Sequence, residues 1–169
     1  MNSVELQPIE IPTTSVCRYV SFNQALNLRA EGELTGDWHF KVMFFCVKDE
    51  PRKMASLAGE GMPVNSNHSL ADRGIREMSK ELQRGGVIFG DAPVFVANHY
   101  RAIADIVISE LQAKRVPRRV TNRCINQWLD TKEQVGMLIS NYLAHLPKQL
   151  AEQELELFNS WFSTIHFEN

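Results

Sequence analysis

The second half of the chain carries apolar residues at helical spacing, and this regularity limits the fold more than any other feature. Between residues 99 and 165 the apolar positions recur three or four residues apart. The pattern predicts four helices: 99–115, about 118–130, a third that follows Thr131, and a last one that begins near Pro147. Each has one apolar side that must be covered. Because Pro147 shortens the final connection, we expect the last two helices to pack antiparallel.

The first half mixes signals for strands and helices. Ser21 and Gln24 predict a capped helix over 22–31, and the aromatic run from Trp38 to Val47 predicts a buried strand. An irregular segment over 48–69 follows, with room for a short helix near 52–58, and apolar spacing then predicts a helix from Ser69 to Gly85. Short strands are predicted at the positions Cys17–Val20, Val87–Phe89 and Pro93–Ala97.

These elements predict an α+β fold, with a small β-sheet and two helices in the N-terminal half and a helical bundle in the C-terminal half. Pro8 and Pro12 interrupt the first residues, so we expect residues 1–15 to form a flexible arm. The chain has 169 residues and no linker rich in glycine, serine or proline. Residues 16–169 are therefore expected to form a single domain.

Composition narrows the class of protein. The net charge is −2, and the three cysteines show no CxxC spacing, which argues against a disulfide framework and a zinc ribbon. The N-terminus lacks the pattern of a signal peptide, and the longest apolar run, Val42–Val47, is far too short to cross a membrane. We expect a cytoplasmic protein with no membrane partner, no metal and no cofactor.

Four residues could belong to a small-molecule enzyme. Asp37 and His39 are two apart on the predicted strand and would share a face, where they could act as base and orienting group. His68 and Arg73 flank the start of the next helix and could bind an anion. A turn aspartate, a locally bonded histidine and a surface ion pair explain the same residues without catalysis.

The most concentrated charge lies at residues 114–123, which hold five basic residues and no acid. With two nearby asparagines they could contact phosphates and base edges; the set is Lys114, Arg115, Arg118, Arg119, Asn122, Arg123 and Asn126. The segment 99–130 loosely fits a helix-turn-helix. The same face could instead dock on the acidic last helix, which carries Glu152, Glu154 and Glu156.

Three hypotheses about function follow. The leading one is a non-catalytic regulatory or interaction protein that binds a protein partner, in the manner of an antitoxin, an immunity protein or an adaptor. The second is a DNA-binding regulator that uses 99–130, for which a homodimer would supply two recognition helices. The third is an enzyme with its site between Asp37, His39 and the 59–76 loop.

Overall fold

A computed structural model describes residues 4–33 and 39–168, and within them the chain is an α+β protein. Its strands are β1 (Leu6–Pro8), β2 (Arg18–Val20), β3 (Phe45–Val47), β4 (Leu57–Gly59), β5 (Ile75–Glu77) and β6 (Phe95–Ala97). Its helices are α1 (Phe22–Leu26), α2 (Phe40–Phe44), α3 (Asn67–Leu70), α4 (Ser79–Arg84), α5 (His99–Gln112), α6 (Asn122–Trp128), α7 (Lys132–Asn141) and α8 (Glu152–Phe162). A 3-10 helix over Leu143–Gln149 separates α7 from α8.

Two small sheets are built from strands that lie far apart in the chain. The larger sheet has the order β4-β2-β6-β5. Strand β2 pairs antiparallel with β4, where Arg18 lies opposite Gly59, and parallel with β6, where Val20 lies opposite Val96. The smaller sheet is an antiparallel pair of β1 and β3.

Much of the segment predicted to be a flexible arm is held against the rest of the chain. Leu6 lies opposite Val47 in the β1–β3 pair. The side chain of Ile9 is buried, and its backbone N–H donates to the carbonyl of Phe44 at 2.9 Å. Thr14 is buried as well, and its hydroxyl accepts from the backbone of Phe95. The segment therefore contributes to both a sheet and the core.

The strand predicted over Trp38–Val47 is wrong for residues 39–44, and Trp38 lies outside the described residues. Phe40–Phe44 is the helix α2, and only Phe45–Val47 is a strand. The rings of Phe40 and Phe44, one helical turn apart, lie 4.9 Å from each other, and such a pair stabilises a helical turn. An apolar run of this length suits a buried helix as well as a buried strand.

The predicted helix from Ser69 to Gly85 is broken into three elements, α3, β5 and α4. The backbone φ angle is +49° at Ala71 and +78° at Gly74, and neither value fits a right-handed helix. The chain reverses there and runs as β5 beside β6 before α4 begins. Sheet pairing has therefore overridden the helical spacing of the apolar residues.

Three smaller predictions for the first half also fail. Helix α1 ends at Leu26 rather than at residue 31. Residues 52–58 form no helix, and Leu57–Gly59 is instead strand β4. Residues 87–89 form no strand, although Phe95–Ala97 does as predicted.

Helix α5 lies at the centre of the molecule. It contacts α1, β6 and α8, and nearly all of its side chains are buried. The Asn98 side chain caps its start by accepting from the backbone of Arg101 at 2.9 Å. Thr131 and Gln134 form a capping box at the start of α7.

The expected antiparallel packing of the last two helices on each other is wrong. Helix α8 packs chiefly on α5, and the 3-10 helix packs on α3 and α7. Trp161 on α8 is 4% exposed and donates from its ring nitrogen to the carbonyl of Val120 at 2.6 Å. The 3-10 helix redirects the chain before α8 starts at Glu152.

The buried apolar side chains of both halves join in one core cluster, with α5 as its largest contributor. Within the described ranges no helix has the length and apolar character needed to cross a membrane.

Candidate partner-binding surface

Five basic side chains predicted from the sequence lie on or beside the connection between α5 and α6. All five belong to exposed residues, and we call them the basic surface: Lys114, Arg115, Arg118, Arg119 and Arg123. The first four lie in residues 113–121 between the two helices, and Arg123 lies in the first turn of α6. The connection turns sharply at Lys114, where φ is +56°.

A buried carboxylate holds two of these arginines in place. Glu110, near the end of α5, has a side chain only 1% exposed, and its Oε1 accepts from Arg115 NH2 and from Arg119 Nε, both at 2.7 Å. Its Oε2 accepts from the backbone of Arg118 at 3.2 Å. The side chains of Arg115 and Arg119 nevertheless remain about half exposed. Both are thus held by the same carboxylate oxygen while still accessible to a ligand.

The charge of Glu110 is stabilised by its partners. Burial raises the pKa of this carboxyl, but the hydrogen bonds from Arg115 and Arg119 outweigh burial, and the pKa lies below its ordinary value of 4.5. Glu110 is therefore ionised at neutral pH and compensates the positive charge on this part of the chain.

Among the described residues, Lys114 is the one member of the basic surface that forms an ion pair with the acidic last helix. Lys114 Nζ lies 3.1 Å from Glu154 Oε1 on α8. Glu154 also accepts from the backbone of Ala151 at the start of that helix, and this bond is the main cause that lowers its pKa. Arg118 and Arg123 remain exposed.

The two asparagines of the predicted binding face contact the chain's own C-terminal segment. Asn122 Oδ1 accepts from the backbone of His166 at 2.8 Å, and its Nδ2 donates to Glu168 Oε1 at 2.8 Å. Asn126 Nδ2 donates to the carbonyl of His166, and its Oδ1 accepts from the backbone of Glu168, both at 2.9 Å. Neither amide is directed to solvent as a base-reading group would be.

The segment 99–130 does not have the spacing of a helix-turn-helix. Residues 113–121 separate α5 from α6, whereas the turn of that motif has about three to four residues. Helix α6 has only seven residues, and the side that carries its two asparagines holds the segment 166–168.

The candidate enzyme residues contact different elements. Asp37 lies outside the described residues. His39 is exposed at the start of α2, and its backbone donates to Asn27 beyond the end of α1. His68 is exposed on α3, and Arg73 donates from its guanidinium to the carbonyl of Asn141 at the end of α7. Nothing in these contacts brings His39 to the other two.

The largest polar constellation was missed in the sequence. Arg101 and Asp105 on α5 are both completely buried, and they are joined by the hydroxyl groups of Tyr19 and Ser66. Ala102 and Ile106 lie about 100° around the helix from Arg101 and Asp105, so the apolar residues of α5 extend well beyond one face, which indicates a helix buried on most sides. This breadth of apolar residues was the signal in the sequence that could have indicated burial of Arg101 and Asp105. Burial raises the pKa of Tyr19 far above its ordinary range, so its hydroxyl stays protonated.

One open cleft of about 490 Å³ lies between the end of α4 and the chain that follows α1. Among the described residues it is lined by Leu28, Arg29, Ala30, Glu31, Gly32, Glu33, Phe40, Glu81, Arg84 and Gly85. Its rim mixes acids and bases, so its charge selects no class of ligand. Glu33, which lines the cleft, pairs with Arg76, and burial lowers the pKa of nearby His99.

No group of three or more histidine, cysteine, aspartate or glutamate side chains in the described ranges could hold a metal ion. Comparison of the chain with known proteins finds no matching family model, no similar curated protein and no similar solved structure.

Proposed function

We propose that this chain is a non-catalytic regulatory or interaction protein, and that it binds an acidic protein partner through the basic surface. The observation that carries the proposal is the attachment of Arg115 and Arg119 to buried Glu110. An arginine that is already ordered loses less side-chain entropy when a partner binds. Carboxylates of a partner could therefore be bound by guanidinium groups whose positions are fixed in advance.

The charge of the surface favours an acidic ligand. Glu110 and Glu154 offset part of the five positive charges, and both carboxylates are largely covered. Arg118 and Arg123 are exposed beside the arginines that Glu110 holds. The excess of positive charge would steer an acidic partner toward this part of the chain and speed its association.

An acidic protein fits the surface better than DNA does. Asparagine amides can read adenine in the major groove, but those of Asn122 and Asn126 are bonded to residues 166–168. The exposed arginines could still contact phosphates or guanine, but the whole chain is slightly acidic at −2, and such a charge does not favour binding to DNA. DNA binding by residues 99–130 remains the alternative that the experiment below separates.

A charge-reversal experiment tests the proposal. Arg118→Glu combined with Arg123→Glu changes two exposed residues that do not contact Glu110 through their side chains, so the fold should be retained. Tagged wild-type and variant chains are cross-linked in their native cells, and the captured proteins are quantified by mass spectrometry. We expect at least one acidic protein to be depleted about tenfold or more, equivalent to about 1.4 kcal/mol of binding free energy.

The matched control makes the same change of charge elsewhere. Arg18→Glu combined with Lys132→Glu alters exposed residues on β2 and α7 and should leave capture unchanged. Equal capture by both variants would reject the basic surface as the binding site. A fluorescent DNA duplex serves as the second arm: tight binding that falls steeply with salt and is lost only in Arg118→Glu/Arg123→Glu would favour the DNA alternative.

A further inference from the structure

Helix α6 binds the backbone of residues 166–168 through two asparagine side chains. The amide of Asn126 donates to the carbonyl of His166 and accepts from the N–H of Glu168. A residue in a parallel β-strand makes the same two bonds to its neighbour, to the carbonyl of one residue and the N–H of the second residue after it. The side-chain amide of Asn126 therefore takes the place of the backbone N–H and C=O of one residue in a strand.

The spacing of the two asparagines suits an extended chain. Residues four apart on a helix are separated by about 6 Å along its axis, and alternate residues of a strand by about 6.6 Å. Asn122 Oδ1 accepts from His166, and Asn126 Oδ1 accepts from Glu168, two residues further on. Successive amides of one edge of the segment are thus matched by successive turns of α6.

The side chains of the bound segment alternate. Ile165 is 8% exposed and Phe167 is partly buried against the core, whereas His166 and Glu168 are exposed. Glu168 also accepts from Asn122 Nδ2. The site therefore favours a segment of four residues that has an apolar residue at the first and third positions, an acid at the fourth, and no preference at the second. Because His166 is held through its backbone groups alone, changes of its exposed side chain are tolerated.

The same helix carries part of the basic surface. Arg123 is next to Asn122 in the chain, and Arg119 is three residues before it. An acidic side chain at the position of Glu168, or beyond it, would be attracted by these arginines. The binding site for an extended segment and the basic surface are therefore continuous.

We propose that the Asn122–Asn126 side of α6 is a docking site for an extended segment of an acidic protein partner, and that residues 165–168 occupy this site until the partner displaces them. The segment of the partner carries the pattern apolar, any residue, apolar, acid. This inference rests on the proposed function, because it names the part of the partner that the basic surface would bind.

A labelled peptide with the sequence of residues 163–168 is the probe. In the wild-type chain the tethered segment competes with it at an effective concentration of about millimolar. The full-length variant Ile165→Ser/Phe167→Ser removes the two apolar contacts of that segment, and we expect it to bind the peptide at least tenfold more tightly than wild type does. Fluorescence anisotropy measures both affinities, and circular dichroism with thermal melting verifies the fold.

Two sets of controls test the role of the backbone contacts. Adding Asn122→Ala and Asn126→Ala to the variant should abolish binding of the peptide. A peptide with proline at the positions of His166 and Glu168 lacks both N–H donors and should not bind either. Absence of binding of the unaltered peptide to a folded Ile165→Ser/Phe167→Ser chain would overturn the inference.

A second measurement uses the unaltered protein, in case the serine variant does not fold. Addition of excess unlabelled peptide to the wild-type chain should displace residues 165–168 and accelerate amide hydrogen exchange at His166 and Glu168. Unchanged exchange would reject displacement. If the peptide fails while Arg118→Glu/Arg123→Glu still loses its partner, the proposed function stands and this docking site is wrong; if the peptide binds and no partner is lost, the reverse holds.

Discussion

Arg101 and Asp105 lie one turn apart on α5 with both side chains completely buried, and Arg101 Nε is 3.9 Å from Asp105 Oδ1. Two hydroxyl groups bridge the pair. Ser66 and Tyr19 each accept from Arg101 Nε, at 2.7 and 3.0 Å, and each bonds to Asp105 Oδ1. The charges are therefore linked mainly through neutral side chains from α5's neighbours in the first half of the chain.

The same arginine joins several segments to α5. Its NH1 donates to the carbonyls of Ala71 and Arg73, and its NH2 donates to Asn67 Oδ1. Asp105 Oδ2 accepts from the hydroxyl of Ser21 at 2.6 Å. A buried charge with this many partners is a structural centre whose loss would affect β2, α3 and the turn at residues 71–74 together.

Removal of one charge of the pair should destabilise the protein strongly. Asp105→Ala leaves the Arg101 guanidinium buried without a counter-ion, and we expect the free energy of unfolding to fall by about 3–5 kcal/mol. Urea denaturation at neutral pH measures the loss. The control is Lys48→Ala, which breaks the exposed pair with Glu5 and should cost less than about 1 kcal/mol.

The double variant Arg101→Met/Asp105→Leu separates the pair from its surroundings. This double variant leaves no buried charge. Its loss of stability should therefore be smaller than the summed losses of the single variants Arg101→Met and Asp105→Leu, by about 0.5–3 kcal/mol. Strict additivity of the two changes would show that Arg101 and Asp105 do not interact through the bridging hydroxyls.

Glu110 should make the stability of the protein depend on pH in the acid range. Its folded pKa lies below the ordinary value of 4.5, because the bonds from Arg115 and Arg119 outweigh burial. A lowered pKa contributes stability that is present above the unfolded pKa and is lost as pH falls through the folded pKa. The free energy of unfolding should therefore decrease as pH falls below about 4.5.

The variant Glu110→Gln isolates this contribution. It should be less stable than wild type at neutral pH and lose less stability on acidification, because the carboxylate is absent. Urea midpoints measured at about pH 7, 5, 4 and 3 compare the two slopes. Glu156→Gln, on the exposed side of α8, controls for the loss of one carboxylate. Parallel curves for wild type and Glu110→Gln would contradict the role of Glu110.

Gly74 occupies a position that a side chain would disturb. Its φ is +78°, and an added Cβ would lie 2.7 Å from Asn98 Oδ1, the atom that caps α5. Gly74→Ala should cost about 1–2 kcal/mol for the left-handed backbone and about 1 kcal/mol more for the displaced cap. Gly86→Ala is matched in φ at +73° but has open space, so only the first cost applies. Equal midpoints for the two variants in urea would show that the cap is unaffected.

Local signals in the sequence predicted some elements and failed at others for identifiable reasons. The capping box of Thr131 and Gln134 forms between side chains three residues apart, so a local signal is enough to predict it. At the start of α1, Ser21 instead donates to Asp105, and Gln24 bonds to the backbones of Met43 and Ser56. Capping propensity depends on residues close together in the chain. It therefore could not predict that Ser21 bonds to a buried carboxylate 84 positions away.

The candidate site also combines local features, which could be predicted from the sequence, with long-range contacts, which could not. The basic residues could be located from the sequence because a run of like charges is local. The position of Glu110 was visible, but its burial and its bonds to Arg115 and Arg119 depend on the turn that follows α5. The contacts of Asn122 and Asn126 with His166 and Glu168 join residues 40 to 46 positions apart, and no local pattern in the chain predicts them.

The packing of α8 gives the last prediction. Trp161 donates from its ring nitrogen to the carbonyl of Val120, and both residues are buried. Trp161→Phe keeps an aromatic ring but leaves that carbonyl buried without its partner, so the free energy of unfolding should fall by about 1–3 kcal/mol. Trp128→Phe is the matched control, because Trp128 on α6 is half-buried and its ring nitrogen makes no hydrogen bond to a described residue. Its loss of unfolding free energy should be smaller. Urea denaturation followed by far-UV circular dichroism compares the two, because it does not depend on tryptophan fluorescence. Equal losses would mean that the bond to Val120 contributes nothing beyond the burial of the ring, and that α8 is held on α5 by apolar packing alone.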